Sequence, residues 1–260
     1  MTIADNASGL AGQSRAALLI VGGGVMGLWA ALKADRLGID TLLVDKGPLA
    51  RGASGGLLGA LMPHMPDKWN DKKQFQFDAL LSLEDEVAAL EADTGLSAGY
   101  RRSGRIIPLP KPHLRTIAER HQQEALVNWD TGHRSFRWNV VDASPAGSDW
   151  PVTDAAGAGL VHDTFAARVS PRGLTGMLVK RLKAAHHVRI IEGCGVQRIE
   201  GREAVLQSGV HIAFGHCIVA AGHASFPLLE TLGPALARPL GQPVKGQAAL
   251  LKGDIDPALP

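Results

Sequence analysis

The sequence predicts an α/β fold, and three neighbouring observations support that class. The apolar run Ala17–Val21 has the length and composition of a buried parallel strand. It leads directly into a glycine turn, GGGVMG, at residues 22–27. Apolar residues then recur at helical spacing from Val25 to about Arg36, and Ile39–Val44 form a second apolar strand. Strand, helix and strand in this order are the unit of a doubly wound parallel sheet.

The turn has the pattern G-x-G-x-x-G, and each of the three glycines in this pattern has its own role. Gly22 permits the tight bend, Gly24 lets the backbone approach a pyrophosphate, and Gly27 lets the helix press against the strand. Val25 and Met26 begin the helix, whose free N–H groups and positive dipole end point at the turn. The pattern therefore predicts an anion at this helix N-terminus.

Asp45 ends the second strand about 20 residues beyond the glycines, followed by Lys46. A carboxylate there accepts hydrogen bonds from the ribose hydroxyls of an adenine dinucleotide, and it would repel a 2′-phosphate. A dinucleotide other than NADP is therefore expected, with Asp45 and Lys46 beside it. The alternative is an α/β unit whose glycines serve packing only, which leaves Asp45 unexplained.

Composition limits the other classes of function. The chain has 260 residues, of which 45% are hydrophobic, enough for one large or two interlocked domains. A formal charge of +2 gives no general reason to expect nucleic-acid or membrane binding, and no run of about 18 apolar residues occurs. Met1–Ser14 is interpreted as a loose leader because it lacks the features of a signal peptide.

The cysteine content is low. Cys194 and Cys217 are the two cysteines, which favours a reducing cytoplasm over a disulfide scaffold. Neither cysteine has metal-ligand spacing, so no metal site is predicted.

A segment dense in small residues follows Asp45 and runs from Lys46 to His64. With the glycine turn and the acid, it resembles the FAD-dependent oxidoreductases of the D-amino acid oxidase type. That group includes glycine oxidase, sarcosine oxidase and the oxidase domain of a bifunctional tRNA-modifying enzyme. The resemblance rests here on Gly52-Ala53-Ser54-Gly55, and it implies that Ser54 touches the phosphates of FAD. It also implies that Gly59, Leu61 and Met62 run near the flavin ring.

The middle of the chain is predicted to be a mixture of helices and short strands. Lys72 to about Asp93 has helical periodicity, with an apolar face formed by Phe75, Phe77, Leu80, Leu81, Leu83, Val87 and Leu90. Tyr100–Pro108 is typical of a hairpin turning at Ser103-Gly104, and Leu114–Val127 of a surface helix. This region is locally basic, which indicates a solvated face or a patch for an anionic substrate.

Further elements follow a loop at residues 142–156. Gly159–Val169 could supply a short hairpin, and Pro171 opens a helix running to about His186. Val188–Ile191 and Gly195–Ile199 are predicted strands. By the resemblance, Val196 is the valine whose backbone meets the adenine.

The strand His211–Ala221 ends in Gly222 and supplies a second match to the family. In the family an apolar strand ending in Ala-Gly lies beside the cofactor, which places Ala221 and Gly222 there. An ordinary core strand ended by a glycine turn is the alternative. A short helix through Leu232 and a strand at Val244–Leu251 complete the prediction.

The predicted architecture is a Rossmann-like FAD-binding domain interlocked with an α+β substrate domain. The FAD-binding domain takes residues 15–71 and 158–232, and the substrate domain takes residues 72–157 and 233–260. The family pattern continues beyond the chain's last residue, so the substrate domain is expected to lack its final part.

The expected activity follows from the resemblance. It implies oxidation of the C–N bond of an amine or amino acid to an imine, by hydride transfer to FAD, with oxygen or another electron acceptor. Gly193-Cys194-Gly195 lacks a third glycine, so a separate NAD(P)H site is not predicted. His64 is a candidate for handling the amine proton, since an imidazole titrates near neutral pH.

Two alternatives remain open at this point. One is the related tRNA-modifying oxidoreductase, favoured by Ala53-Ser54-Gly55 and the basic middle region, although the low net charge argues against a polyanion site. The other is a truncated or split chain, inactive alone and dependent on a partner chain or an oligomer.

Overall fold

The structure is a computed structural model that describes residues 15–147, 150–233 and 237–250. The strands are β1 (Arg15–Val21), β2 (Thr41–Val44), β3 (Ala60–Leu61), β4 (Arg105–Pro108), β5 (Trp138–Val141), β6 (Leu160–Asp163), β7 (Ala167–Arg168), β8 (Val188–Ile191), β9 (Val196–Glu200), β10 (Glu203–Leu206) and β11 (His211–Val219). The helices are α1 (Val25–Arg36), α2 (Asp71–Thr94), α3 (Pro112–Asn128), α4 (Pro171–Lys183) and α5 (Ser225–Glu230). Short 3₁₀ turns lie at Ala53–Gly55, Thr153–Ala156 and Gly222–Ala224.

The described residues form two compact units. The first comprises those within 15–57, 90–97 and 171–249, and the second those within 58–89, 98–170 and Leu250. The α/β class predicted from the sequence is confirmed. None of the helices in the described ranges is long and apolar enough to cross a membrane.

The first unit is built on a six-stranded sheet in the order β8-β2-β1-β11-β10-β9. The four strands from β8 to β11 are parallel, whereas β10 is antiparallel to both of its neighbours. Leu19 and Leu42 are fully buried because helices or loops cover a parallel sheet on both faces. Leu28 and Leu32 bury the inner face of α1, and Gly38, at φ +68°, lies just beyond the end of that helix.

The second unit has a three-stranded antiparallel sheet in the order β4-β6-β5 and a separate β3-β7 pair. Its core is aromatic and consists mainly of Phe77, Trp129, Phe136, Trp138 and Phe165. The rings meet at tilted and edge-to-face angles, with centroids 4.4 Å apart for Phe136 and Phe165. This cluster joins α2 and α3 to one face of the sheet.

Several local predictions are wrong. Tyr100–Pro108 and Gly159–Val169 are not hairpins, because β4 and β5 both pair with β6 while β7 pairs with β3. The predicted division into an FAD-binding and a substrate domain stays a prediction. The short strand β10 was not predicted at all.

Two further predictions need correction. Phe75 is 79% exposed, whereas Phe77 is buried, because residues two apart point about 200° from one another on a helix. Residues 244–250 form no strand, and Leu251 lies outside the described residues, as does the predicted leader Met1–Ser14.

A buried carboxylate fixes the loop after β6. Asp163 is fully buried, and its Oδ1 accepts the N–H groups of Phe165 at 2.7 Å and Ala166 at 3.0 Å. Its Oδ2 pairs with the Arg105 guanidinium at 2.7 Å. Asp142 also pairs with an arginine, Arg115, but its side chain is 85% exposed.

We expect Asp163→Ala to lower the free energy of unfolding by about 3–5 kcal/mol, since it leaves a guanidinium and two N–H groups without their acceptor. Asp142→Ala is the matched control and should change it little, because water solvates that pair. Chemical denaturation followed by tryptophan fluorescence compares the two variants. Equal losses of stability in the two variants would show that the buried Asp163 pair contributes no more to stability than the exposed Asp142 pair.

Candidate cofactor site

A cavity of about 1110 Å³ lies in the first unit. Its lining includes the carboxyl ends of β1, β2 and β11, marked by Val21, Val44 and Val219, together with the start of α1. Ligands of open α/β sheets bind at this end of the strands, where the connections diverge. The position therefore agrees with the anion site predicted from the glycine turn.

The glycine turn brings three backbone segments into contact. Gly22 has φ +110°, and a Cβ placed on it would lie 2.5 Å from the carbonyl oxygen of Ala220, at the end of β11. A Cβ on Gly27 would overlap the carbonyl oxygen of Gly22. Both positions therefore exclude a side chain, as the pattern predicted.

Ser54 lies at the N-terminus of α1. Its Oγ accepts the N–H of Val25 at 2.9 Å and would be 3.2 Å from a Cβ placed on Gly24. The Arg172 side chain donates to the carbonyl oxygen of Gly55 at 2.8 Å and so anchors the turn that carries Ser54. With Val25 as its donor, the Ser54 hydroxyl can give its own hydrogen to an anion above the helix.

Asp45 joins the end of β2 to the glycine turn. Its Oδ2 accepts the N–H of Gly23 at 2.6 Å, and its Oδ1 accepts the N–H of Gly47 at 2.8 Å. A carboxylate has about four acceptor positions, so lone pairs are left for the hydroxyls of a ribose. The glycine cradle, the helix N-terminus and this acid fit the pyrophosphate and ribose of an adenine dinucleotide.

A second wall of the cavity is built by the turn before β9. Gln207 Oε1 accepts the N–H of Gly195 at 3.1 Å, and the N–H of Gln207 donates to the carbonyl oxygen of Gly195 at 2.8 Å. Val196 follows and lines the cavity, as do Ala221 and Gly222 at the end of β11. Two stretches that are distant in sequence therefore meet at one site.

Most of the predicted cofactor residues line this cavity, namely Gly22, Gly24, Val25, Met26, Asp45, Lys46, Ser54, Val196, Ala221 and Gly222. Gly27 packs beneath the turn instead. Their contacts with a cofactor stay predictions.

The other predicted residues belong to the second unit. The carbonyl oxygen of Gly59 accepts the N–H of Val169 at 2.8 Å, and Leu61 pairs with Ala167. Met62 is 41% exposed. The N–H of His64 donates to Gln76 Oε1 at 2.6 Å. The roles predicted for these residues at the flavin or the substrate stay predictions.

Sequence reasoning missed several cavity residues, including Arg51, Gln207, His223 and Phe226. His223 directly follows the Ala-Gly pair, and this adjacency is a signal that could have identified it. Gln207 belongs to the turn after the unpredicted strand β10, so the sequence offered no comparable signal for it.

Other chemistry has less support among the described residues. No group of three or more His, Cys, Asp or Glu side chains there is arranged to hold a metal ion. Burial raises the pKa of the Cys217 thiol to about 11, so this group stays protonated at neutral pH and is a poor nucleophile.

Comparison with known proteins adds the family context. Residues 17–259 match a family described as FAD dependent oxidoreductase. A comparison with curated proteins found no match.

Similar solved structures include three amino-acid or amine enzymes. Glycine oxidase from Geobacillus kaustophilus has a TM-score of 0.69 and 19% identity over 84% of this chain and 58% of that chain. L-amino acid deaminase from Proteus myxofaciens has a TM-score of 0.70 and 18% identity over 86% and 49%. Iminodiacetate oxidase from Chelativorans sp. BNC1 has a TM-score of 0.66 and 22% identity over 83% and 58%. At these identities the likeness shows the fold, and this chain spans less than two thirds of each structure's length.

We expect Gly24→Val to abolish retention of FAD, because the added carbons would meet Ser54 Oγ and fill the space above the helix N-terminus. Gly176→Val is the matched control, since Gly176 lies exposed on α4 with open space around it. Flavin content after gel filtration is the measurement. If both variants retained as much flavin as the parent, the cofactor would have to bind elsewhere.

Proposed function

The chain belongs to the family of FAD-dependent oxidoreductases that matches residues 17–259, and we propose that it oxidises the C–N bond of an amine or amino acid. When bound, FAD would accept the hydride from the substrate carbon, which carries both electrons, while the nitrogen loses a proton. The substrate becomes an imine, which water then hydrolyses. The residues of this chain bind and orient the reactants and exclude water.

The C–N bond is suggested by the substrates named for the structural neighbours. These names are glycine oxidase, L-amino acid deaminase, iminodiacetate oxidase and L-proline dehydrogenase. Glycine, L-amino acids, iminodiacetate and proline all have a nitrogen bonded to a carbon that carries hydrogen. This shared chemistry is the single observation that supports an amine or amino acid as the substrate of this chain.

We assign the cofactor contacts to residues of the first unit. The N-terminus of α1, with Gly24, Val25 and the Ser54 hydroxyl, would hold the pyrophosphate, and Asp45 would accept hydrogen bonds from the ribose. Val196 would border the adenine, and Ala221 with Gly222 would border the remainder of the cofactor. His64, in the second unit, is our candidate for the amine proton.

The tRNA-modifying alternative has less support because carboxylates neutralise much of the basic middle region. Arg102 and Arg134 both pair with Glu84, at 3.1 and 3.0 Å. Burial raises the pKa of Glu84, but the hydrogen bonds and charges of the two guanidinium groups together lower it below its usual value. Arg105 and Arg115 pair with Asp163 and Asp142. Paired cations attract a polyanion weakly.

We also infer a cytoplasmic location. The two cysteines, Cys194 and Cys217, are not joined in a disulfide, which agrees with a reducing compartment.

We expect a small amino acid or N-substituted glycine to bleach the visible absorbance of FAD bound to this protein under anaerobic conditions. A panel of such amines, with NADH and NADPH as comparison reductants, measures the preference. Reduction by a nicotinamide and by none of the amines would contradict the proposed substrate class. Salt-sensitive binding of tRNA would instead favour the alternative.

We expect Asp45→Ala to weaken FAD binding by about 1–3 kcal/mol, the scale for a charged hydrogen-bond acceptor. Asp40→Ala is the matched control, because Asp40 immediately precedes β2 whereas Asp45 immediately follows it, and Asp40 pairs with Arg189 at 3.0 Å. Titration of the apoprotein with FAD gives both dissociation constants. An unchanged constant in Asp45→Ala would remove the ribose assignment.

A further inference from the structure

The segment Lys46–Ala50, here called the β2 loop, forms part of the cavity wall directly after Asp45. Lys46, Gly47, Pro48 and Ala50 line the cavity, whereas Leu49 is buried with 8% of its surface exposed. A Cβ on Gly23 would overlap the Leu49 side chain, so Leu49 packs on the glycine turn. The shape of the cavity beside Asp45 therefore depends on the conformation of this loop.

The β2 loop has a conformation that its sequence does not favour. Ala50 has φ +60°, a conformation that an L-residue rarely adopts and that persists only where neighbouring contacts enforce it. Its N–H donates to the carbonyl oxygen of Gly23 at 2.8 Å. A Cβ on Gly55 would lie 2.5 Å from the carbonyl oxygen of Ala50, so the loop also contacts the turn that carries Ser54.

Glu192 supplies a side-chain anchor for this loop. It follows the last residue of β8, and its Oε1 accepts the N–H of Leu49 at 2.7 Å across 143 residues of sequence. Glu192 is not among the described residues that line the cavity, so its side chain affects a ligand indirectly, and its hydrogen bond to Leu49 joins it to the loop.

We propose that Glu192 is a positioning residue for FAD, which holds the β2 loop in the shape that accepts the adenosine half of the cofactor. Without this acceptor, the Leu49 N–H loses its partner and the strained loop loses one of its restraints. The loop then departs from the glycine turn and from Asp45, which it contacts through Gly47. This inference needs FAD binding, but it does not depend on the proposed oxidation of an amine.

Three substitutions separate position from charge. Glu192→Ala removes the acceptor, and Glu192→Asp keeps the charge but shortens the reach by one methylene. Glu192→Gln keeps an Oε1 acceptor at the same reach without the charge. Glu200→Ala is the matched control, because Glu200 ends β9 and pairs with Arg198 on the surface.

The first measurement is the dissociation constant of the apoprotein for FAD and for ADP, which shares the adenosine and pyrophosphate. We expect Glu192→Ala and Glu192→Asp to bind both ligands about tenfold more weakly, whereas Glu192→Gln stays within about twofold of the parent. Equal affinity in Glu192→Ala and the parent would overturn the proposal. So would a loss in Glu192→Gln as large as that in Glu192→Ala.

The second measurement is limited tryptic cleavage after Lys46, the first residue of the β2 loop, and after Arg51, which follows the loop. We expect faster cleavage there in Glu192→Ala and Glu192→Asp, with the parent rate in Glu192→Gln and Glu200→Ala. Cleavage after Lys180, within α4, is the internal control for general unfolding. Unchanged cleavage at the loop in Glu192→Ala would overturn the proposal. This outcome does not depend on the results of the amine assay or of the FAD titration.

Discussion

The close contact of three backbone segments at Gly22 is the constraint on which the site depends. The carbonyl oxygen of Ala220 lies where a Gly22 side chain would be, and the carbonyl oxygen of Gly22 lies where a Gly27 side chain would be. The end of β1, the first turn of α1 and the end of β11 therefore meet with nothing between them. This contact aims the N-terminus of α1 at the cavity, and it puts the Ala-Gly pair after β11 on the same cavity as the glycine turn.

The sequence predicted those parts of the molecule in which local pattern and tertiary position agree. β1, α1 and β2 form one short unit whose strands are apolar throughout, so periodicity and length were enough to recognise them. The roles of the glycines and Asp45 could be predicted because the length of this unit sets the spacing between them. Ser54, Val196 and the Ala221–Gly222 pair came from the family resemblance, and the structure brings all of them to one cavity.

The failures concern pairings between distant segments, about which local pattern says little. Gly104 has φ +80° and is typical of a hairpin turn, yet its N–H donates to the carbonyl oxygen of Ala166. Nothing in residues 100–108 indicates that their partner lies some sixty positions later. Glu192 illustrates the same limit, since a glutamate after a strand has no distinctive pattern until Leu49 is seen beside it. Residues that support a site from outside its cavity are therefore the hardest to find by sequence.

The order of strands in the first unit also has a consequence for biosynthesis. β1 pairs with β11, with Arg15 opposite Ala213, so β1 leaves the ribosome long before the strand that covers this edge. At ordinary translation rates the delay is on the order of ten seconds or more. During this interval β1 presents unpaired backbone groups beside an apolar run, the kind of edge that recruits other chains. The exposure of this edge therefore ends only when β11 has been synthesised, and the same strand carries one wall of the cavity, so the cavity also forms late.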